Sequence, residues 1–205
     1  MKYFLLVFAF LGFLNVNAQS TKYWKQSVLE FQKELNREYK TEGESPLRGD
    51  NFTNFKEHPF FPINKKYCVI ARFEKTTSDQ KLVMPTSSGK SKSFTEYGKA
   101  YFKLNGKVQV VTLYTNDALQ TNPEYVNHVF LPFGDLTNSN ETYGGGRYID
   151  LEKTDKTMIV IDFNKAYQPY CAYNAFDYSC PLIPNENKLD VAIKAGVKYD
   201  DVYHH

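Results

Sequence analysis

The dipeptide Asn105-Gly106 limits this chain's fold more than any other feature of the sequence. It separates Tyr101-Phe-Lys-Leu from Lys107-Val-Gln-Val-Val-Thr-Leu-Tyr. Asn-Gly accommodates the positive φ values of a type I′ turn, so the two runs are predicted to pair directly as a β-hairpin. Further apolar, β-branched runs at residues 67–74, 81–84, 93–97, 129–133, 147–152 and 158–163 read as strands. Between Lys65 and Phe163 nothing has a sustained helical period or the length of a crossover helix. Parallel βαβ architecture is therefore disfavoured. The expected fold class is mainly β (α+β): an antiparallel sheet, sandwich or open barrel.

One helix precedes this region. Trp24, Val28, Phe31, Leu35 and Tyr39 recur at three- and four-residue steps, with charged residues on the other faces. Such an amphipathic helix needs an apolar partner, and a face of the sheet is the expected one. Pro46 marks the end of the helical region. Residues 187–194 read as a strand or a short helix, a last strand being the preferred reading.

The first eighteen residues have the layout of an export signal: Lys2, an apolar run over residues 3–14, and Val16 and Ala18 before a cleavage point at Gln19. The run is too short to span a bilayer, so the chain beyond it is expected to carry no integral membrane segment. The reading is a signal peptide at 1–18 and a single globular domain at 19–205, exported to the periplasm or beyond. The chain has 25 Lys+Arg and 23 Asp+Glu, one lysine lying in the signal. This near-neutral balance argues against nucleic acid as a partner.

Candidate chemistry gathers between residues 128 and 188. Gly144, Gly145 and Gly146 let backbone amides approach an anion, and Arg147 adds a rigid guanidinium fork. A glycine-rich turn with a structural arginine fits the same residues. Asp162, Asn164 and Tyr167 supply further polar groups, and Asp162 with Glu186 forms the candidate acid/base pair of a hydrolase if both face one cleft. Oxygen-bearing residues alternate from Asp135 to Glu141, but the glycine and final glutamate of an EF-hand loop are missing, so a solvated turn is expected and no metal is assigned. Cys171 and Cys180, eight residues apart in an exported chain, are expected to form a disulfide, leaving Cys68 as a buried free thiol. His58 and His128 lie in no zinc-hydrolase motif, and the chain has neither a Gly-x-Ser-x-Gly elbow nor a P-loop ending. No cofactor is expected.

Several motifs together carry a resemblance: Ser45-Pro46-Leu47, Phe60-Phe61-Pro62-Ile63, Glu141-Thr-Tyr-Gly-Gly-Gly-Arg-Tyr148, Asp162-Phe-Asn-Lys-Ala-Tyr167, Pro169 with Cys171-Ala-Tyr-Asn174, and Cys180-Pro-Leu182 with Pro184, Glu186 and Asn187. With these, the chain from about Trp24 to Gly196 resembles the bacterial and archaeal family named domain of unknown function 1684. Asn138-Ser139, and Gln168 and Tyr170 around Pro169, depart from the family pattern without removing a charged or thiol residue. The resemblance implies that residues 144–147, Asp162, Asn164, Tyr167, Cys171 and Cys180 belong to one shared feature, and it supplies no reaction. Three readings follow: a small polar or anionic ligand bound near the glycine loop, a hydrolase using Asp162 and Glu186, or a structural or interaction module of the cell envelope with an exposed aromatic patch.

Overall fold

The computed structural model describes residues 4–77, 81–200 and 202–203, with side chains from residue 20 onward. Residues 1–3, and the side chains over which the export signal is read, lie outside the described residues. Helix α1 (Phe4–Lys40) is followed by a short α2 (Gly49–Asn54) and seven strands: β1 (Cys68–Lys75), β2 (Lys81–Pro85), β3 (Ser91–Leu104), β4 (Lys107–Asn116), β5 (His128–Phe133), β6 (Arg147–Glu152) and β7 (Met158–Asp162). No helix among the described residues is long and apolar enough to cross a membrane.

The strands form one antiparallel sheet in the order β6-β5-β4-β3-β1-β7, with β2 paired to β3. Asn105 and Gly106 take the positive φ values, 54° and 78°, that the hairpin requires. The sheet curls into a half-barrel. Beyond β7 the chain returns to the opposite edge, where Tyr167 and Tyr148 exchange backbone hydrogen bonds of 2.8 and 3.0 Å. Of the expected strands, 93–97 and the first arm of the hairpin merge into the single fourteen-residue β3.

Around β5 and the start of β6, period-two alternation serves two buried faces of the sheet. Val129, Leu131 and Phe133 of β5 and Ile149 of β6 point into the main core with Val111, Leu113, Ile161 and Phe163. Phe130 and Tyr148, one residue out of phase, join Phe94, Tyr114, Cys171 and Cys180 in a second cluster. On β3 the two faces are exchanged by a bulge between Glu96 and Gly98. Phe94 lies in the second cluster, whereas Ala100, Phe102 and Leu104, of the same parity, lie in the first.

Two expectations are corrected. Leu35 and Tyr39 of α1 are buried with Leu47, Ala172, Tyr173 and Val197, residues of the connecting and C-terminal segments and of no strand. The C-terminal half of the helix thus packs on the coil beside the sheet, while Trp24 bonds Asp162 at the end of β7. Residues 187–194 are not a strand either. β4 and β5 pair at one position only, Tyr114 with Phe130. Where they diverge, the buried Asn187 side chain takes the strand's place, accepting from Thr112 N at 2.7 Å and donating to Thr112 O at 2.8 Å and Pro132 O at 2.7 Å. One amide satisfies backbone groups of two strands, so no further strand is needed there.

Candidate functional site

Arg147 opens β6 with its side chain on the core face, wholly buried. Its guanidinium meets Asp135 Oδ2 at 2.7 Å and donates to the carbonyls of Ile193, at 2.8 Å, and Ala195. The other Asp135 oxygen accepts from Thr137 N, Thr137 Oγ1 and Ile193 N. The pair thereby ties the turn after β5 to the C-terminal segment. Burial pulls the guanidinium below its ordinary value, and the adjacent carboxylate works against that shift. Gly146, at φ +85°, leaves no room for a side chain: a Cβ there would lie 2.4 Å from Ile183 and 2.8 Å from the Phe133 carbonyl. In this structure the Arg147 guanidinium is taken up by protein groups, and Asp135 faces that guanidinium.

Asp162 and Asn164 are committed in the same way. Asp162 Oδ1 accepts from the backbone and side chain of Asn164, while Oδ2 accepts from the indole of Trp24 at 2.7 Å. Asn164, also buried, bonds the backbone of Asn64 in both directions. Together they dock α1 and the segment before β1 onto the end of β7. Glu186 accepts from Tyr114 Oη at 2.8 Å, on a central strand. Neither Asp162 nor Glu186 borders the large cavity on the second face of the sheet.

A cavity of about 730 Å³ lies over the second face of β3 to β6. Phe31, Leu35 and Glu38 of α1 form one wall, and Lys90, Ser91, Lys92 and Phe94, at the β2–β3 turn and the start of β3, form another. The base is β5 and β6, through His128, Phe130, Tyr148 and Asp150. Tyr167, Tyr170 and residues 177–181 close it from the C-terminal side. Of the ligand residues expected from sequence, only Tyr167 borders this cavity.

The polar part of the base is one hydrogen-bonded chain. Asp150 stands between His128 Nε2, at 2.7 Å, and the Tyr167 hydroxyl, which donates to it at 2.8 Å. A carboxylate facing Nε2 fixes the imidazole proton there. Nδ1 is then a buried acceptor without a donor among the described residues. Burial, then the Asp150 charge, pushes the Tyr167 hydroxyl well above its ordinary value, so it stays a donor. Tyr170 likewise donates to Glu38, and burial raises it. Around these groups stand Phe31, Phe94, Tyr125, Phe130, Tyr148 and Tyr178. The arrangement suits a molecule with an apolar ring and a few polar groups.

Cys171 and Cys180 are both free thiols here, as is the half-buried Cys68. Cys180 borders the cavity. It accepts from Cys171 N at 3.3 Å.

The signal for the residues missed in sequence was present in the strand pattern. Tyr148 and Asp150 alternate with Arg147 and Ile149, and His128 and Phe130 alternate with Val129 and Leu131. The alternation assigns faces, but the elements covering the second face come from residues 31–38, 90–92 and 167–181.

A family model described as a protein of unknown function (DUF1684) matches residues 53–198. The fold is similar to the solution NMR structure of an uncharacterized protein from Haloarcula marismortui, with a TM-score of 0.70 and 27% identity over 89% of this chain and 97% of that one. No curated protein matches.

Proposed function

Because the chain belongs to the DUF1684 family of proteins of unknown function, we propose a role from the cavity itself: an exported, single-domain protein that binds a small ring-bearing molecule between α1 and the second face of the sheet. The observation that carries this is the 730 Å³ cavity with an aromatic wall and the Tyr167–Asp150–His128 chain at its base. The rings of Phe31, Phe94 and Phe130 take the ligand's apolar face. Asp150 takes its hydrogen-bond donors, and Lys90 and Lys92 take an anionic group at the rim. Export rests on the basic, apolar and small-residue order of residues 1–18. In this reading the site is displaced from the glycine loop to the residues immediately after it.

The test is a fluorescence titration with 8-anilinonaphthalene-1-sulfonate, which combines apolar rings with an anionic group. The wild type is expected to bind it, and Tyr167→Phe to weaken binding by about 1 kcal/mol, roughly fivefold in Kd. Phe31→Ala is expected to weaken it through lost ring contact. Affinity unchanged in both variants would place the probe elsewhere and remove the reading.

A further inference from the structure

The two thiols join opposite walls of the cavity. Cys171 sits in the 3-10 turn Tyr170–Ala172. That turn is fastened to α1, Tyr170 donating to Glu38 while Ala172 is buried with Leu35 and Tyr39. Cys180 is fastened to the β2–β3 turn: its carbonyl accepts from Ser87 N at 2.9 Å, its amide donates to Ser87 Oγ at 3.2 Å, and Ser179 Oγ donates to Thr86 Oγ1 at 2.6 Å. Between the cysteines the chain is pinned by Asn174 to the Pro46 carbonyl at 2.9 Å and by Asp177 to Arg48 at 2.6 Å. In the thiol form, a 3.3 Å N–H···S bond is the direct link between the cysteines of the two walls.

We propose that Cys171 and Cys180 are a reversible redox latch, whose oxidation to a disulfide ties the α1 wall to the β2–β3 wall and slows ligand exchange from the cavity. The inference rests on the cavity being a binding site. The oxidant is a low-molecular-weight disulfide, which reaches the pair from the cavity side, where Cys180 lies. The Cys171 sulfur, deprotonated, attacks one sulfur of the reagent and expels its first thiolate, forming a mixed disulfide. The Cys180 sulfur then gives up its proton, attacks Cys171 and expels the second. Two protein S–H bonds and the reagent's S–S bond become one protein S–S bond and two reagent thiols, the reagent being reduced. The neighbouring Cys180 draws the Cys171 thiol down to about 7 while Cys171 pushes Cys180 up, so the first proton leaves Cys171 near neutral pH. A covalent tie between two walls acts on opening, and hence on the dissociation rate before the affinity.

The test uses the whole protein with oxidised glutathione or dithiothreitol, intact mass to count thiols, and stopped-flow dissociation of 8-anilinonaphthalene-1-sulfonate. Oxidation is expected to remove two hydrogens and slow dissociation by about threefold or more, dithiothreitol restoring both. The double variant Cys171→Ser/Cys180→Ser, which retains Cys68, is expected to respond to neither reagent. Thiols that persist under oxidised glutathione overturn the latch, as does a disulfide that dithiothreitol reduces only on unfolding, or equal dissociation rates in the two states. Probe that fails to bind in either state overturns the cavity reading and the latch with it, whereas binding in both states with equal dissociation rates overturns the latch alone.

Discussion

Asp135 and Arg147 face each other with neither charged group exposed, and each has its remaining hydrogen bonds filled by the backbone or side chains around it, except for Arg147 Nε. Taking two charges out of water costs several kcal/mol each, and the pair recovers this only while both members are present. Asp135→Asn leaves the guanidinium buried against a neutral amide. It is expected to lower the unfolding free energy by about 3 to 5 kcal/mol in urea titrations while leaving the probe's affinity for the folded protein unchanged. The sequence displayed Arg147 beside three glycines, a pattern that serves an anion site and a tight buried turn alike. What separates them is the position of Asp135, twelve residues earlier, and of the Ile193 and Ala195 carbonyls, nearly fifty residues later. Neither distance is written in local pattern. Tyr167 was legible as a polar site residue, but its partner Asp150 was not, because an acid within a strand reads equally well as a solvent-facing residue.

At the level of elements, the bulge in β3 decides which rings reach the cavity. Were the same residues a regular strand with no bulge at Glu96–Gly98, Phe94 and Phe102, eight positions apart, would share one face of the sheet. Gly98 makes the bulge possible by close approach: a Cβ there would stand 2.5 Å from the Glu74 carbonyl and 2.5 Å from the Phe73 ring. Gly98→Ala is expected to cost roughly 1 to 3 kcal/mol through overpacking, seen as a lower urea midpoint. The hairpin at Asn105-Gly106 was readable because its turn chemistry is local. The bulge was not, since a single glycine within a strand pattern does not announce a change of face. The last expected strand failed for a related reason. Leu189, Val191 and Ile193 alternate as a strand would and are all buried. Their partners, however, are core side chains, and the adjacent sheet is sealed by the Asn187 amide. The helix at 24–39 was plain from its period, whereas the coil it packs on has no period to read.

For the molecule as a whole, acid sensitivity has an identifiable source in His58. It is enclosed by Tyr39, Phe55, Phe60 and Tyr173, with the Tyr173 hydroxyl 3.2 Å from Nδ1. Burial lowers its pKa from 6.5 to about 3. Folded protein therefore keeps this ring neutral where unfolded chain has already bound a proton. Its contribution to stability is complete above the unfolded pKa and is lost as pH falls from about 6.5 towards 3, with a slope approaching about 1.4 kcal/mol per pH unit. Urea unfolding between about pH 4 and pH 7 is expected to show a shallower pH dependence in His58→Phe than in the wild type, whatever the offset between the two. Equal slopes would assign the acid sensitivity to carboxylates.

The alternation along β5 and β6 has a further consequence. Arg147 and Ile149, with Val129, Leu131 and Phe133, hold the molecule's shape, while Tyr148, Asp150, His128 and Phe130 border the cavity. The main core and the cavity wall are thus interleaved on the same two strands and read by parity. Under the proposed function, the partly exposed even positions His128 and Asp150 are the ones that can change with the guest, whereas Phe130 and Tyr148 also pack the second cluster.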